Sequence, residues 1–204
     1  MSESSFSADR DLKEAKAMVE GLTSYIQEET LYGHTRGGMF GSGNMPALTI
    51  GALLMRLRRL RALEATLSPA QRDQLGQIER LHDSVRSEWR NHYLEKLHRE
   101  GTSRLKAMNT FFEECTDDPR QCPNIYLPEA LRRTIVQEIA RMLESLGEEH
   151  EELKKAMRRV DGKLRGFTQP NGFLWASELE AIYPADEFWW LYARPPRTDR
   201  EPRG

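Results

Sequence analysis

Two cysteines among 204 residues are too few for a disulfide framework, and at 23.6 kDa the chain can bury a core without one. Neither a strand-length alternation of apolar and polar residues nor an internal repeat occurs, which argues against barrels, sandwiches and solenoids. An excess of either charge is missing too. Thirty bases meet 32 acids, a net charge of −2, so no global field draws the chain to nucleic acid. Apolar residues are scarce at 38% and charged ones plentiful at 30%, the balance of long solvated helices.

A long hydrophobic run is also absent. Gly37 to Met55 carries no charge, but its first half, Gly-Gly-Met-Phe-Gly-Ser-Gly-Asn-Met-Pro, has the composition of a loop. Only the residues from Ala47 onward read as apolar helix, too few for a membrane span. The first residues show no basic segment leading into an apolar one, so no secretory signal is expected. The expected compartment is the cytoplasm, with Cys115 and Cys122 as reduced thiols; their separation fits no zinc pattern.

What is present is helical periodicity. Leu12, Ala15, Val19, Leu22 and Ile26 form a stripe over Ala8–Glu29, with Ser7 as N-cap. After a connector rich in glycine, a second helix is expected over about Ala47–Leu67. Its arginines at 58, 59 and 61 fall at the edges of the apolar arc. Arg56 falls inside it and needs a carboxylate or carbonyl partner. Ser68-Pro69 opens a third helix, whose apolar positions from Ile78 to Phe111 recur at the eleven-residue period of a nearly straight rod. Unbroken to Glu114 it would be about 69 Å long, with Gly101-Thr102-Ser103 as the expected kink.

Cys115 to Tyr126 reads as a connector. A fourth helix is expected from Leu127-Pro128 to about Arg165. Within it Leu143, Leu146, His150, Leu153, Met157, Val160, Leu164 and Phe167 alternate four and three apart, as in a coiled-coil seam. The expected fold is all-α: a helical bundle built on a long antiparallel hairpin, coiled-coil-like, with a small aromatic segment at its C-terminal end. Its expected organisation is an N-terminal helix and glycine-rich loop (1–46), the hairpin bundle (47–167), the aromatic segment (168–193) and a disordered tail (194–204).

The aromatic segment is the least ordinary stretch. Phe173, Trp175, Tyr183, Phe188, Trp189, Trp190 and Tyr192 are seven of the chain's 17 aromatics. Two short helices split at Tyr183-Pro184 are expected there. The rings serve either as core against the hairpin or as exposed anchors for a protein partner. His150, at a heptad a position, either fixes register and titrates near neutrality or sits at the hairpin's edge bonded to a carboxylate, the simpler account. Around it, Glu148 to Glu152 precede a basic run from Lys154 to Arg165, a pattern that suits an antiparallel homodimer through this seam.

Three further groupings carry chemistry. Residues 48–63 hold Arg56, Arg58, Arg59 and Arg61 and no acid, a local patch for RNA, DNA or anionic lipid unless acidic helices pair with it. Glu-x-x-His occurs at Glu79/His82 and Glu95/His98, the spacing of carboxylate-bridged metal bundles. Both copies lie on one expected helix, about 24 Å apart along its axis, so they cannot share one site within a chain. Ordinary i,i+3 surface pairs are the simpler account. Gly33-His-Thr-Arg-Gly-Gly38 has the glycine spacing of a phosphate loop, but Met39 and Phe40 replace the Lys and Ser/Thr that such loops require.

Arg86 and His92, with five residues between them, form an Arg-x5-His pattern. That spacing resembles the signature of the helical HEPN nucleases, although Ser87 stands where that family favours Asn, Asp or His. The resemblance covers these residues alone. It implies cleavage of RNA phosphodiesters by the Arg/His pair. The sequence as a whole favours a non-enzymatic scaffold or adaptor with no cofactor, whose helix faces and aromatic segment meet a protein partner. An RNA-acting protein is the alternative, and a metal-binding bundle the second one.

Overall fold

A computed structural model describes residues 6–35 and 45–196. The described residues form six α-helices and a short C-terminal cap around one continuous core that runs from Leu12 to Leu191. Helix α1, Ala8–Gln27, starts at Ser7, whose hydroxyl accepts a hydrogen bond from the Arg10 amide. Helix α2, Ile50–Ala62, is capped by Thr49 and is shorter than its periodicity suggests, because a 3-10 turn at Glu64–Thr66 ends it. Gly33 and Leu48 bridge across the connector; Gly37 and Gly38, and most of the uncharged run that precedes α2, lie outside the described residues. No helix among the described residues is long and apolar enough to cross a membrane.

The expected third helix is two. Helix α3, Pro69–Glu88, opens with a full capping box between Ser68 and Gln71. It stops at Trp89, which leaves helical geometry at φ −112° and ψ 34°, and α4 follows as Arg90–Asp117. The turn at Trp89 lets α3 pack on α1 while α4 packs on α5. Gly101 therefore does not break the rod. It is a notch that admits Leu153, since a Cβ there would lie 2.9 Å from that side chain.

The connector between α4 and α5 is also shorter than expected. Helix α5, Cys122–Ser145, begins five residues before Leu127, with Pro123 in its first turn. Pro128 sits inside the helix; the carbonyl its missing N–H cannot serve belongs to exposed Asn124, which solvent can reach. Cys115 and Cys122, expected as reduced thiols, are joined as a disulfide across the turn, their Cα atoms 5.2 Å apart. This end of α4 meets the start of α5, and Arg90 at the other end donates to the Leu146 carbonyl. The two helices are antiparallel.

The expected fourth helix also divides. Gly147 takes φ +68° and closes α5 in a Schellman motif: its amide donates to Glu144 O and the Glu148 amide to Leu143 O. Helix α6, Glu151–Phe167, then runs back parallel to α4. Leu153 sits over Gly101, Lys163 reaches Asn109, and Phe167 stacks on Phe112. The heptad residues Leu153, Met157, Val160 and Leu164 are thereby buried within one chain. The surface that an antiparallel homodimer through this seam requires is already covered. His150 is not in a seam but at the N-terminal end of α6, buried, with its Nδ1–H donated to the Glu148 carbonyl.

The cap follows α6. Strands β1 (Gln169–Pro170) and β2 (Ala193–Arg194) pair antiparallel, a two-residue ladder where no strand is expected. Arg194, expected in the tail, is thus ordered, and it donates to Pro123 O; residues 197–204 lie outside the described residues. Between the strands are 3-10 helices at Ser177–Ile182 and Trp189–Tyr192, on either side of the expected break at Tyr183-Pro184.

Candidate functional site

The aromatic segment is held down by arginines. Trp175, Tyr183, Phe188 and Trp190 make a chain of edge-to-face contacts with centroids 5.0 to 5.5 Å apart. Arg133 lies 4.0 Å over Trp190, Arg58 5.0 Å over Phe188 and Arg59 4.9 Å over Trp175. The indole of Trp190 donates to Thr134 Oγ1, and the Tyr126 hydroxyl donates to Trp190 O. Tyr183, Phe188 and Trp190 are at most 1% exposed, so these three are core and not exposed anchors. Trp175, Trp189 and Tyr192 are half-buried at the rim of the same cluster.

The α2 arginines explain the docking. Arg56 reaches Glu14 Oε2 at 2.5 and 2.7 Å and the Ala52 carbonyl at 2.8 Å, the partners its position in the apolar arc demands. Burial pulls the Glu14 carboxyl upward, but Arg56 and Arg10 outweigh it and leave the group below its ordinary value. Arg59 donates to the Tyr183 hydroxyl and faces Asp11 at 3.6 Å. There burial prevails, and the Asp11 carboxyl is pushed up. Arg58 donates to the Ile182 carbonyl. Of the four, only Arg61 is largely at the surface, paired with Glu79. All four guanidiniums of the nucleic-acid patch therefore serve intramolecular contacts, three of them away from the open surface.

The Glu-x-x-His copies do not build a metal centre. Glu79 is engaged by Arg61, and His82 is not a surface residue but fully buried on Tyr93, whose hydroxyl lies 2.9 Å from Nε2. Burial, with Arg86 adding to it, pushes the His82 imidazole down to about 4. Glu95 is exposed beside Arg99, and His98 is half-buried. Among the described residues no three His, Cys, Asp or Glu side chains gather around one point. The bend at Trp89 puts the HEPN-like pair on two helices. Arg86 ends α3 in contact with Asp83, whereas exposed His92 lies on α4, edge-on to Trp89.

What the fold does assemble is a cleft of about 630 Å³ between α2, α5 and the cap. From α2 come Leu54, Arg58, Arg61 and Ala62; from α5 come Glu138, Arg141, Met142 and Ser145; Ala181 and Ile182 close it. On each helix the spacing is three or four, so one face of each turns inward. Arg61 and Arg141 stand at its edges, the latter held by Glu187. Glu138 is 7% exposed, and its buried Oε1 has no hydrogen-bond partner; Arg58 Nε, 3.6 Å away, donates to Ile182 O. Burial pushes the Glu138 carboxyl up to about 7, with Glu187 adding to it and Arg58 and Arg59 opposing. A buried titratable group in a cleft marks a candidate site. Sequence reasoning found Arg58 and Arg61 but missed Glu138, Arg141 and Met142, whose pattern on α5 is that of any amphipathic helix. No family model, curated protein or solved structure matches this chain.

Proposed function

We propose that the chain is a non-enzymatic helical adaptor that holds a protein partner in the cleft between α2, α5 and the cap. The observation that carries this reading is the juxtaposition in that cleft of an apolar wall, three guanidiniums and one buried carboxylate whose Oε1 accepts no hydrogen bond. Its volume lies in the range of binding clefts, about 300–1,000 Å³, which accommodates a few partner side chains. The half-buried aromatic rim of Trp175, Trp189 and Tyr192 offers further contact of the kind partners use. Arg58 and Arg61 of the basic patch thus enter the site as part of a protein-binding edge.

The test places a photo-crosslinking amino acid at Ser145, an exposed residue at the edge of the cleft, in tagged full-length chain expressed in its native cells. A discrete crosslinked protein, lost in the Arg61→Ala/Arg141→Ala variant at unchanged helicity and melting temperature, is the expected result. Crosslinking that is absent, or indifferent to the two arginines, refutes the reading.

A further inference from the structure

We propose that the partner enters the cleft as an acidic peptide segment. Its carboxylate sits between Arg61 and Arg141, a backbone N–H donates to Glu138, and an apolar neighbour packs on Leu54, Met142 and Ile182. This rests on the adaptor reading above and names the chemistry of the partner at that same site.

Three observations lead to it. First, both rim guanidiniums already hold carboxylates, Arg61 that of Glu79 and Arg141 that of Glu187. The four side chains are between 30% and 47% exposed, so these pairs are worth little in water and an incoming carboxylate can exchange with them. The chain's own acids thus occupy the positions the ligand would take. Second, Glu138 Oε1 is a buried acceptor that receives no hydrogen bond, and Arg58 Nε at 3.6 Å compensates its desolvation only in part. A peptide amide supplies a neutral donor beside the acidic side chain. A cationic donor would meet Arg58, Arg61 and Arg141 at once. A phosphate would bring about twice the charge of a carboxylate to a site that already faces Glu79, Glu138 and Glu187, and would offer no donor when fully ionised. Third, half of the lining is apolar, which suits a leucine-sized neighbour and not a sugar-phosphate backbone.

The pH dependence separates this arrangement from simple anion capture. Glu138 faces Arg58 and Arg59 from α2, Arg141 on its own helix and Glu187 from the cap. The N–H donor touches Glu138 and favours its ionised form, whereas the ligand carboxylate is farther off and neutralised by Arg61 and Arg141; the contact dominates, so affinity rises as pH increases through the Glu138 transition. An anion held by the arginines alone would bind less tightly over that interval, because ionised Glu138 repels it.

The experiment follows the Met142 and Ile182 methyl resonances of the full chain during titration with end-blocked Gly-Leu-Glu-Leu-Gly. The same peptide with Gln for Glu, and a uridine oligonucleotide, serve as comparisons. The acidic peptide is expected to shift these methyls saturably, and the Gln peptide to bind about tenfold more weakly. Arg61→Ala and Arg141→Ala should each weaken binding by about tenfold. Glu138→Gln keeps an acceptor and should abolish the rise with pH. Equal binding of the Gln peptide, affinity that falls as pH rises, or displacement by the oligonucleotide overturns the proposal. If the Ser145 crosslink depends on both arginines while the acidic peptide leaves the methyls unmoved, the adaptor reading stands and the acidic-segment inference falls. If no crosslink forms, the adaptor reading falls, and the acidic-segment inference falls with it.

Discussion

Gly51 lies where α2 packs on α5, and the same substitution there and at Gly162 should act with opposite sign. A methyl group on Gly51 would meet Ile135 Cγ2 at 2.6 Å, Glu100 Oε1 at 2.8 Å and Ile139 Cδ1 at 2.8 Å. Each distance is well inside van der Waals contact. Two of the three atoms belong to the buried α5 core, and the third to a carboxylate whose other oxygen accepts from the Gly51 amide at 2.9 Å. Glu100 is fully buried and also held by Arg104, so it has little room to retreat. Overpacking of this kind costs about 1–3 kcal/mol, against a helix-propensity gain of about 1 kcal/mol for Gly→Ala. The net expectation for Gly51→Ala is a loss of about 1–2 kcal/mol once the disturbed Glu100 contact is included. Gly162 lies on the exposed side of α6, where a methyl group would meet nothing within 4 Å, so Gly162→Ala keeps the full gain of about 1 kcal/mol. Urea denaturation of the two variants and the parent reads both values; in melting temperature each kcal/mol corresponds to about 2–4 °C at this size. A Gly51→Ala protein as stable as the parent would refute the close packing of α2 on α5, and with it the walls of the cleft.

Four other outcomes can be measured. Glu14→Gln should destabilise by about 3–5 kcal/mol in chemical denaturation because it strands buried Arg56, and adding Arg56→Met should recover most of the loss. His82 is held neutral in the fold, with its pKa below the unfolded value of 6.5, so its contribution to stability is full above about pH 6.5 and is lost as pH falls toward 4. Replacing His82 with Gln should flatten that acid limb in stability measured from pH 7 to 4. Thiol titration of the denatured chain should find no free cysteine until reductant is added. Reduction should then cost about 2 kcal/mol, the loop-closure entropy of a short turn. Deleting Phe173–Tyr192 should abolish cooperative unfolding, since it strips Tyr183, Phe188 and Trp190 from the core; a truncated chain that still melts sharply would mean that the cap is an appendage.

Sequence reading succeeded where the physics is local. Ser7 and Ser68-Pro69 marked true helix starts because a cap needs only a side-chain oxygen and the next few amides. Arg56 declared its need for a partner because an ion inside an apolar arc must be neutralised, whatever supplies the charge. Gly147 was legible and missed: a glycine one residue past the last apolar position is a C-terminal signal, and the heptad running through it hid the stop. The break at Trp89 carried no comparable mark, since neither proline nor glycine makes it.

Taken by itself, then, the sequence determined an all-α chain, the caps and apolar faces of its helices, and the demand of Arg56 for an acid. Tertiary structure alone decided that the heptad stripe of α6 is covered by α4 of the same chain, and that Tyr183, Phe188 and Trp190 are core while the other rings stand at the rim. It also decided that Glu138 and Arg141 meet Arg58 and Arg61 across a cleft although they lie far apart in the chain. The reason is that periodicity specifies which face of a helix turns inward but not what it meets. That choice depends on the summed packing of every helix against every other, and it is written only in the folded arrangement.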